Sequence, residues 1–234
     1  MSRVVVVTGA AGGVGSATCE LLEERGWHVV GLDRRPLTSS RSLEVDIADT
    51  DALVAALRSL GRVDALVNNA AVQHFKPLLE TTIEEWDSVH AQNLRGAFVC
   101  MKALHDKLAE SRGAVVNVSS VHAVATSKSI AAYAASKGGL VALTRAAALE
   151  FAADGIRVNA VLPGAVDTPA LRQGFARRAD AEQTLIARTP LKRLGQPSDI
   201  AEAIEFLIDP ERSGFVTGQT FVIDGGALAR LSTE

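Results

Sequence analysis

Near the amino terminus, a strand-like run leads directly into a cluster of glycines. Residues 3–8 read Arg-Val-Val-Val-Val-Thr, a short apolar run rich in β-branched residues that predicts a buried strand. The cluster follows at once, with glycines at Gly9, Gly12, Gly13 and Gly15, and a helix-like segment then extends to Arg25. Glycines permit a tight turn, and the N–H groups at a helix start favour a phosphate. This order of strand, glycine turn and helix predicts a phosphate site on an α/β fold.

A second apolar run, residues 28–32, ends in an acidic residue, Asp33. Asp33 lies 20 residues beyond Gly13 (33 − 13), about where an acidic residue binds a ribose hydroxyl in dinucleotide-binding folds. Its carboxylate would accept hydrogen bonds from the 2′-hydroxyl of NAD and repel the 2′-phosphate of NADP. The sequence therefore predicts NAD as the cofactor. NADP stays open because Arg34 and Arg35 follow immediately and could soften that exclusion.

Three polar residues in the middle of the chain form a candidate proton-transfer site. Tyr133 and Lys137 are four positions apart (137 − 133) in an Ala-rich, helix-forming stretch, so they share one helical face. The lysine cation is expected to lower the phenol pKa from its ordinary value near ~10 toward neutrality. Ser120 follows a strand-like run, residues 114–118, which would place its hydroxyl beside a substrate oxygen. Taken alone, the Tyr-Lys spacing is loose enough to be a chance helix pair.

Asn93 is a candidate for a further polar role inside a helix. Thr82 and Glu85 have the spacing of a capping box ahead of a long amphipathic stretch that would carry Asn93 in its interior. Asparagine is a poor helix former there, so we predict a local distortion that frees a backbone carbonyl for a water molecule. The alternative is an ordinary solvent-facing asparagine.

Together these motifs resemble the short-chain dehydrogenase/reductase family, and the resemblance runs almost end to end. Residues 8–15 match the family pattern T-G-x-x-x-G-x-G, and residues 68–71 match N-N-A-G except that alanine replaces the final glycine. Pro163-Gly164 matches the motif after the sixth strand, and residues 224–226 resemble the C-terminal ending. The resemblance implies a catalytic tetrad of Asn93, Ser120, Tyr133 and Lys137.

The resemblance also implies what these residues do. Ser120 would bind the substrate oxygen while Tyr133 exchanges its proton, and hydride would pass between the substrate carbon and nicotinamide. Lys137 would lower the pKa of Tyr133 and bind the nicotinamide ribose, and Asn93 would hold a relay water. The implied cofactor contacts are Gly9, Gly12, Gly13, Val14, Gly15, Asp33, Asp46, Ile47, Asn69, Ala70, Tyr133, Lys137, Pro163, Gly164, Val166 and Thr168.

The substrate is expected to be a small molecule carrying a secondary alcohol or ketone. Gln73 and His122 resemble pocket residues of 3-hydroxybutyrate dehydrogenases, and Lys128 lies two positions from the matching place, which suggests a hydroxy acid. Residues 170–194 are predicted to form a substrate-binding lid. Its basic residues could attract an anion or simply form a solvated helical face, namely Arg172, Arg177, Arg178, Arg188, Lys192 and Arg193. A neutral alcohol, a sugar alcohol or a hydroxysteroid stays open.

Composition favours one compact α/β domain over residues 1–234. With 47% hydrophobic residues and no linker-like segment, the chain predicts a Rossmann fold, a doubly wound seven-stranded parallel sheet with helices on both faces. The predicted strands are residues 3–7, 28–32, 43–45, 65–67, 114–118, 157–161 and 220–223. An Ala-rich, broadly apolar helix over residues 131–152, together with the family resemblance, predicts a homotetramer or homodimer.

Other classes of function are disfavoured by charge and motif content. Lys and Arg (24) are fewer than Asp and Glu (27), which argues against a nucleic-acid partner, and no apolar run is long enough to span a membrane. Two distant cysteines, Cys19 and Cys100, and no metal-ligand spacing predict a cytoplasmic protein with no metal. The alternatives are an NADP-dependent carbonyl reductase and a non-catalytic nucleotide-binding regulator, whose expected signature is a broken tetrad.

Overall fold

A single parallel sheet organises the chain. The computed structural model describes residues 2–37, 42–175 and 180–230. Its strands, all parallel, lie in the order β3-β2-β1-β4-β5-β6-β7. They are β1 (Val4–Thr8), β2 (His28–Asp33), β3 (Ser42–Glu44), β4 (Ala65–Asn68), β5 (Ala114–Val118), β6 (Arg157–Pro163) and β7 (Thr220–Ile223). The predicted doubly wound seven-stranded sheet is confirmed.

Helices cover both faces of this sheet. The α-helices are α1 (Gly13–Glu24), α2 (Thr50–Arg58), α3 (Ile83–His90), α4 (Gly96–Ser111), α5 (Ala131–Phe151), α6 (Pro169–Phe175), α7 (Ala181–Arg188), α8 (Pro197–Ile208) and α9 (Pro210–Ser213). A π-helical turn, Ala91–Arg95, joins α3 to α4. Short 3₁₀ turns lie at Leu78–Glu80, Val121–Ala123, Ala152–Asp154 and Ala227–Ala229.

Alternating side chains of the central strands divide the interior into two cores. Val6 of β1 faces a cluster that includes residues of α2, α4 and α5, whereas Val5 and Val7 face one that includes residues of α1 and α8. Successive side chains of a strand point to opposite faces, so the run of valines in β1 serves both cores. Burial on both faces explains why the strands read as continuous apolar runs.

The sheet order reverses next to β1, which lies between β2 and β4. In doubly wound sheets, ligands bind at the carboxyl ends of the strands beside such a reversal. The glycine turn after β1, Asp33 at the end of β2 and Ser120 after β5 therefore share one edge of the sheet.

The predicted lid contains α6 and α7. Arg177 and Arg178 lie outside the described residues, so their predicted contribution has no structural account. Among the described residues, no helix combines the length and apolar character needed to cross a bilayer.

Candidate active site

The glycine turn is built so closely that side chains would not fit. Gly9 has a φ of +67°, and a Cβ there would lie 2.7 Å from the Cα of Ala70. A Cβ on Gly15 would lie 2.1 Å from the carbonyl oxygen of Gly9, and one on Gly13 would lie 2.8 Å from Cγ2 of Thr168. The first-turn N–H groups of α1 have no partner within the helix. The turn therefore fits the pyrophosphate of a dinucleotide.

Asn69 and Thr8 join the ends of β4 and β1. The backbone N–H groups of Asn69 and Ala70 each donate to Oγ1 of Thr8 at 3.0 Å. Nδ2 of Asn69 donates to the carbonyl oxygens of Thr8 at 3.0 Å and Gly9 at 3.1 Å. The Asn69 side chain thus fixes the first residue of the glycine turn, a structural role that the motif alone did not predict.

Asp33 is buried and held in place by the glycine turn. Only 8% of Asp33 is exposed, and its Oδ2 accepts a hydrogen bond from the backbone N–H of Ala11 at 3.0 Å. Its Oδ1 accepts from the backbone N–H of Arg35 at 3.0 Å and from Nε of that residue at 3.3 Å. The carboxylate therefore stands where the sequence predicts a ribose contact, and the Arg35 guanidinium is drawn toward it.

The remaining predicted cofactor residues lie at the same edge of the sheet. Asp46 and Ile47 follow β3, and Ile47 packs closely enough on Gly96 that a Cβ there would lie 2.6 Å from Cγ1 of Ile47. Beyond β6, the last residue of which is Pro163, come three more predicted contacts, Gly164, Val166 and Thr168. These predicted groups therefore follow the carboxyl ends of parallel strands, as the glycine turn does.

Ser120, Tyr133 and Lys137 come together as the sequence predicts. The Ser120 side chain lies close enough to Tyr133 to act on the pKa of its phenol, and Ser120 Oγ accepts from the backbone N–H of His122 at 3.2 Å. Lys137 is 2% exposed, and its Nζ donates to the carbonyl oxygen of Val118 at 2.7 Å. This Nζ lies 5.7 Å from the centre of the Tyr133 ring.

The expected direction of the tyrosine pKa is wrong for this structure. Burial raises the pKa of Tyr133 above its ordinary value, and the hydrogen bond with Ser120 opposes the rise. Burial also lowers the pKa of Lys137 to about 7, so its positive charge is only partial at neutral pH. Desolvation disfavours the charged form of both groups, and it acts on the lysine that was expected to supply the stabilising cation.

Asn93 lies in the π-helical turn, where the sequence predicts a distortion. Its side chain is 1% exposed and binds both backbone groups of Val72. Oδ1 accepts from the Val72 N–H at 2.8 Å, and Nδ2 donates to the Val72 carbonyl at 2.9 Å and to Ser136 Oγ at 3.0 Å. Asn93 is therefore not a solvent-facing residue. It joins the segment after β4 to the helix that carries Tyr133 and Lys137.

The predicted substrate residues occupy two loops that meet beside the site. The backbone N–H of Lys76 donates to the carbonyl of Ser129 at 2.8 Å, which brings the loop of Gln73 to that of Lys128. Gln73 and Lys128 are both exposed. His122 is half-buried, and its ring meets the Tyr133 ring edge-on with centroids 6.0 Å apart. Burial lowers the pKa of His122, which favours a neutral imidazole.

Two cations of the lid are already paired with carboxylates. Arg172 forms ion pairs with Asp167 at 2.7 Å and Glu182 at 3.0 Å, and Arg193 pairs with Asp199 at 2.6 Å. These ion pairs neutralise charges that would otherwise attract an anionic substrate. For Arg172 and Arg193, the ion pairs support a role in stabilising the predicted lid and not in attracting an anion.

Sequence reasoning missed three groups that hold the site together. Thr8 Oγ1 and the Ala11 N–H act through contacts described above, and Ser136 links Tyr133 to Asn93. Thr8 and Ser136 stand inside recognised motifs and carry hydroxyl groups, which was the available signal. The Ala11 contact uses only the backbone, so no side-chain type could have revealed it.

A glycine turn at the carboxyl edge of a doubly wound sheet, with Ser120, Tyr133 and a buried Lys137 at the same edge, is the arrangement expected of a nicotinamide-dependent oxidoreductase. Residues 9–227 match a family model described as "Enoyl-(Acyl carrier protein) reductase". The chain belongs to the short-chain dehydrogenase/reductase family and is an NAD(P)-dependent oxidoreductase acting on CH–OH groups.

Two relatives match nearly the whole chain. The chain is 42% identical to cis-4-hydroxycyclohexanecarboxylate dehydrogenase of Sinomonas cyclohexanicum, with 97% of each chain covered. It is 36% identical to cyclopentanol dehydrogenase of Comamonas, again with 97% of each covered. Both of these relatives are named for the oxidation of alcohols on rings.

Solved structures agree with this fold and with a nicotinamide cofactor. Aldohexose dehydrogenase of Thermoplasma acidophilum, in ligand-free form, has a TM-score of 0.93 at 30% identity, covering 99% of this chain and 96% of the other. ElxO with NADP bound has a TM-score of 0.89 at 29% identity, with 98% and 100% covered. 4-Hydroxyisoleucine dehydrogenase complexed with NADH has a TM-score of 0.90 at 29% identity, with the same coverage.

Proposed function

We propose that this protein is an NAD-dependent dehydrogenase that interconverts a secondary alcohol and a ketone, with Tyr133 as the acid and base. The observation that carries the proposal is the meeting of the Ser120 hydroxyl, the Tyr133 phenol and the buried Lys137 amine, whose Nζ lies 5.7 Å from the centre of the Tyr133 ring. These groups lie at the same edge of the sheet as the glycine turn. This common edge supports proton transfer next to a bound cofactor.

The chain's own residues supply binding and proton transfer. Bound NAD would supply the acceptor for the hydride of the carbinol carbon. Ser120 donates a hydrogen bond to the substrate oxygen, and the Tyr133 phenolate takes the hydroxyl proton as the carbon–oxygen double bond forms. Lys137 Nζ makes one hydrogen bond to Val118, which leaves further N–H donors for the cofactor ribose and a water near Asn93.

The raised pKa of Tyr133 has a consequence for direction. A phenol whose pKa is raised by desolvation keeps its proton and is ready to act as the acid for ketone reduction. Alcohol oxidation requires the phenolate, so substrate and cofactor binding must favour the charged form within the closed site. In this proposal the assembled complex, and not Lys137 alone, activates Tyr133.

For the substrate we propose a small alicyclic secondary alcohol that carries a carboxylate. The support is the 42% identity to a dehydrogenase named for a hydroxycyclohexanecarboxylate, together with the positions of Gln73, His122 and Lys128. A neutral His122 beside Tyr133 offers a hydrogen bond without a charge, and the exposed Lys128 offers a cation to the carboxylate. The proposal therefore narrows the predicted substrate class from hydroxy acids in general to cyclic hydroxy acids.

For the cofactor we propose NAD rather than NADP. Asp33 is held at the end of β2 by the glycine turn, and its carboxylate would repel a 2′-phosphate. The Arg35 guanidinium is engaged with that same carboxylate at 3.3 Å, which limits its use as a phosphate ligand. Arg34 is the remaining cation of the pair that could favour NADP.

The first experiment is a spectrophotometric assay of NADH and NADPH formation. The panel contains the cis and trans isomers of 4-hydroxycyclohexanecarboxylate, cyclopentanol and 3-hydroxybutyrate, each tested with NAD and with NADP. We expect turnover with NAD on the cyclic hydroxy acid and a loss of about 10²- to 10⁴-fold in Tyr133→Phe. The variant should still bind NADH, because the change removes only the phenolic oxygen.

Three outcomes would contradict this proposal in different ways. A preference for NADP would support the carbonyl-reductase alternative. Full activity in Tyr133→Phe would remove Tyr133 as the acid and base. Binding of NADH without turnover on any alcohol would favour the non-catalytic regulator, even though all four tetrad positions are filled.

A further inference from the structure

Ser136 is a buried hydroxyl that lies in α5 between Tyr133 and Lys137. It has 0% exposure, and its Oγ donates to the backbone carbonyl of Tyr133 at 2.7 Å. The same oxygen accepts from Nδ2 of Asn93 at 3.0 Å. A serine hydroxyl has one proton, and here the bond to Tyr133 uses it. Ser136 therefore meets Asn93 only as an acceptor.

The Asn93 side chain connects three parts of the site. Its Oδ1 accepts from the Val72 N–H at 2.8 Å, and its Nδ2 donates to the Val72 carbonyl at 2.9 Å. The bond to Ser136 adds α5 to this connection. The π-helical turn, the segment after β4 and the catalytic helix are therefore joined through one buried amide.

We propose that Ser136 is a positioning residue for the dehydrogenase reaction, acting through Asn93. A π-helical turn departs from the regular i to i−4 pattern, which makes a backbone carbonyl available for a water. Ser136 fixes the distance between that turn and the helix bearing Lys137. The proton taken by Tyr133 then leaves through Lys137 and the water held at the turn. This inference rests on the proposed function.

The same helix contains a matched control. Thr144 also has 0% exposure, and its Oγ1 donates to the Leu140 carbonyl at 2.8 Å and accepts from Nδ2 of Asn117 at 2.9 Å. Both hydroxyls thus bond to their own helix and accept from a buried asparagine. Thr144 differs because its asparagine belongs to β5 and not to the π-helical turn.

The test compares Ser136→Ala with Thr144→Val in the full-length protein. We expect Ser136→Ala to lower kcat about 10- to 100-fold because small displacements of catalytic groups are costly. KM for NAD should change less than about 3-fold, since the hydroxyl of Ser136 bonds to the Tyr133 carbonyl and to Asn93 and not to the glycine turn. Thr144→Val should reduce thermal stability and leave kcat within about 2-fold of wild type.

Hydrogen–deuterium exchange provides a readout that does not need turnover. Ser136→Ala should speed exchange in residues 91–95, whereas Thr144→Val should not. Unchanged exchange there would overturn the proposed link, even if the wild-type protein oxidises no alcohol and the proposed function itself fails. In an active protein, wild-type kcat in Ser136→Ala, or an equal kcat loss in Thr144→Val, would also overturn the positioning role.

Discussion

At the scale of single residues, burial decides the chemistry of the tyrosine and lysine. Both side chains carry the groups that the motif predicts, yet burial raises the pKa of Tyr133 and lowers that of Lys137 to about 7. A charge loses its hydration in a buried site, so each group favours its neutral form. Residue identity alone therefore does not determine protonation.

Lys137 should make stability depend on pH. Its pKa falls from an ordinary 10.5 to about 7 in the folded protein, so between these values the unfolded chain binds more protons. Stability should therefore rise with pH above about pH 7, by at most about 1.4 kcal/mol per pH unit from this group. Denaturant unfolding of wild type and Lys137→Met across this range measures the difference.

Lys102→Met is the control for that measurement because Lys102 is exposed on α4. It should follow the wild-type pH dependence. If the free energy of unfolding depends on pH in the same way for wild type and Lys137→Met, the lowered pKa of Lys137 is contradicted.

The glycine turn gives a second residue-scale prediction. A Cβ on Gly15 would lie 2.1 Å from the Gly9 carbonyl oxygen, so Gly15→Ala must displace the backbone that faces the pyrophosphate. We expect at least about a 10-fold loss of NADH affinity and a lower melting temperature, both from the same displacement. Fluorescence titration and thermal unfolding measure the two effects.

Gly61→Ala is the matched control, because a Cβ there meets nothing within 4 Å. Its NADH affinity should equal that of wild type. Wild-type affinity in Gly15→Ala would show that the close approach is not required.

At the scale of elements, one arginine forms ion pairs that link α6 to α7 and to the segment after β6 in the predicted lid. Arg172 in α6 contacts Asp167 in the segment after β6 and Glu182 in α7. Exposed ion pairs contribute little individually, but a fork that holds two elements restricts their relative motion. We expect Arg172 to keep the lid seated over the site.

Replacing Arg172 should loosen the lid without unfolding the sheet. Arg172→Gln should raise the substrate KM several-fold and speed NADH release, because lid opening commonly limits such steps. Steady-state kinetics and stopped-flow release measure these effects. Arg188→Gln removes an exposed charge in α7 and is the control. It should leave the substrate KM and the rate of NADH release near their wild-type values. A substrate KM and a rate of NADH release equal to those of wild type in Arg172→Gln would contradict the proposed restraint of the lid.

Local sequence patterns predicted the elements well. All seven strands are present, with ends within about two residues of prediction, and the capping box at Thr82 and Glu85 is complete. These features depend on apolar periodicity and neighbouring side chains. The lid ion pairs were not predicted, since Arg172 finds its partners only after α6 and α7 take their places.

At the scale of the whole molecule, one surface carries apolar side chains from adjacent helices. Phe98 of α4 is 46% exposed and lines a groove together with Leu94 and with Leu143 of α5. The predicted broadly apolar character of α5 thus extends to an outward face. We expect this face to be covered by a second copy of the chain.

A charge on that face should disrupt the expected homotetramer or homodimer. Phe98→Glu would bury a carboxylate between two apolar surfaces, so we expect a smaller particle by size-exclusion chromatography with light scattering. Leu79→Glu is the control, because Leu79 is 98% exposed but lies outside α4 and α5. A monomeric wild-type protein, or an unchanged particle in Phe98→Glu, would contradict this expectation.

The sequence by itself determined the order of the elements, the glycine turn and the helical spacing of Tyr133 and Lys137. Propensity, periodicity and steric demand act over a few residues, and each left a readable pattern. Only the tertiary structure decided which groups are desolvated and which distant side chains meet. It reversed the expected pKa shift of Tyr133 and joined Asn93 to Val72 and Ser136. Burial and long-range contacts depend on how whole elements pack, and that packing is not contained in any single motif.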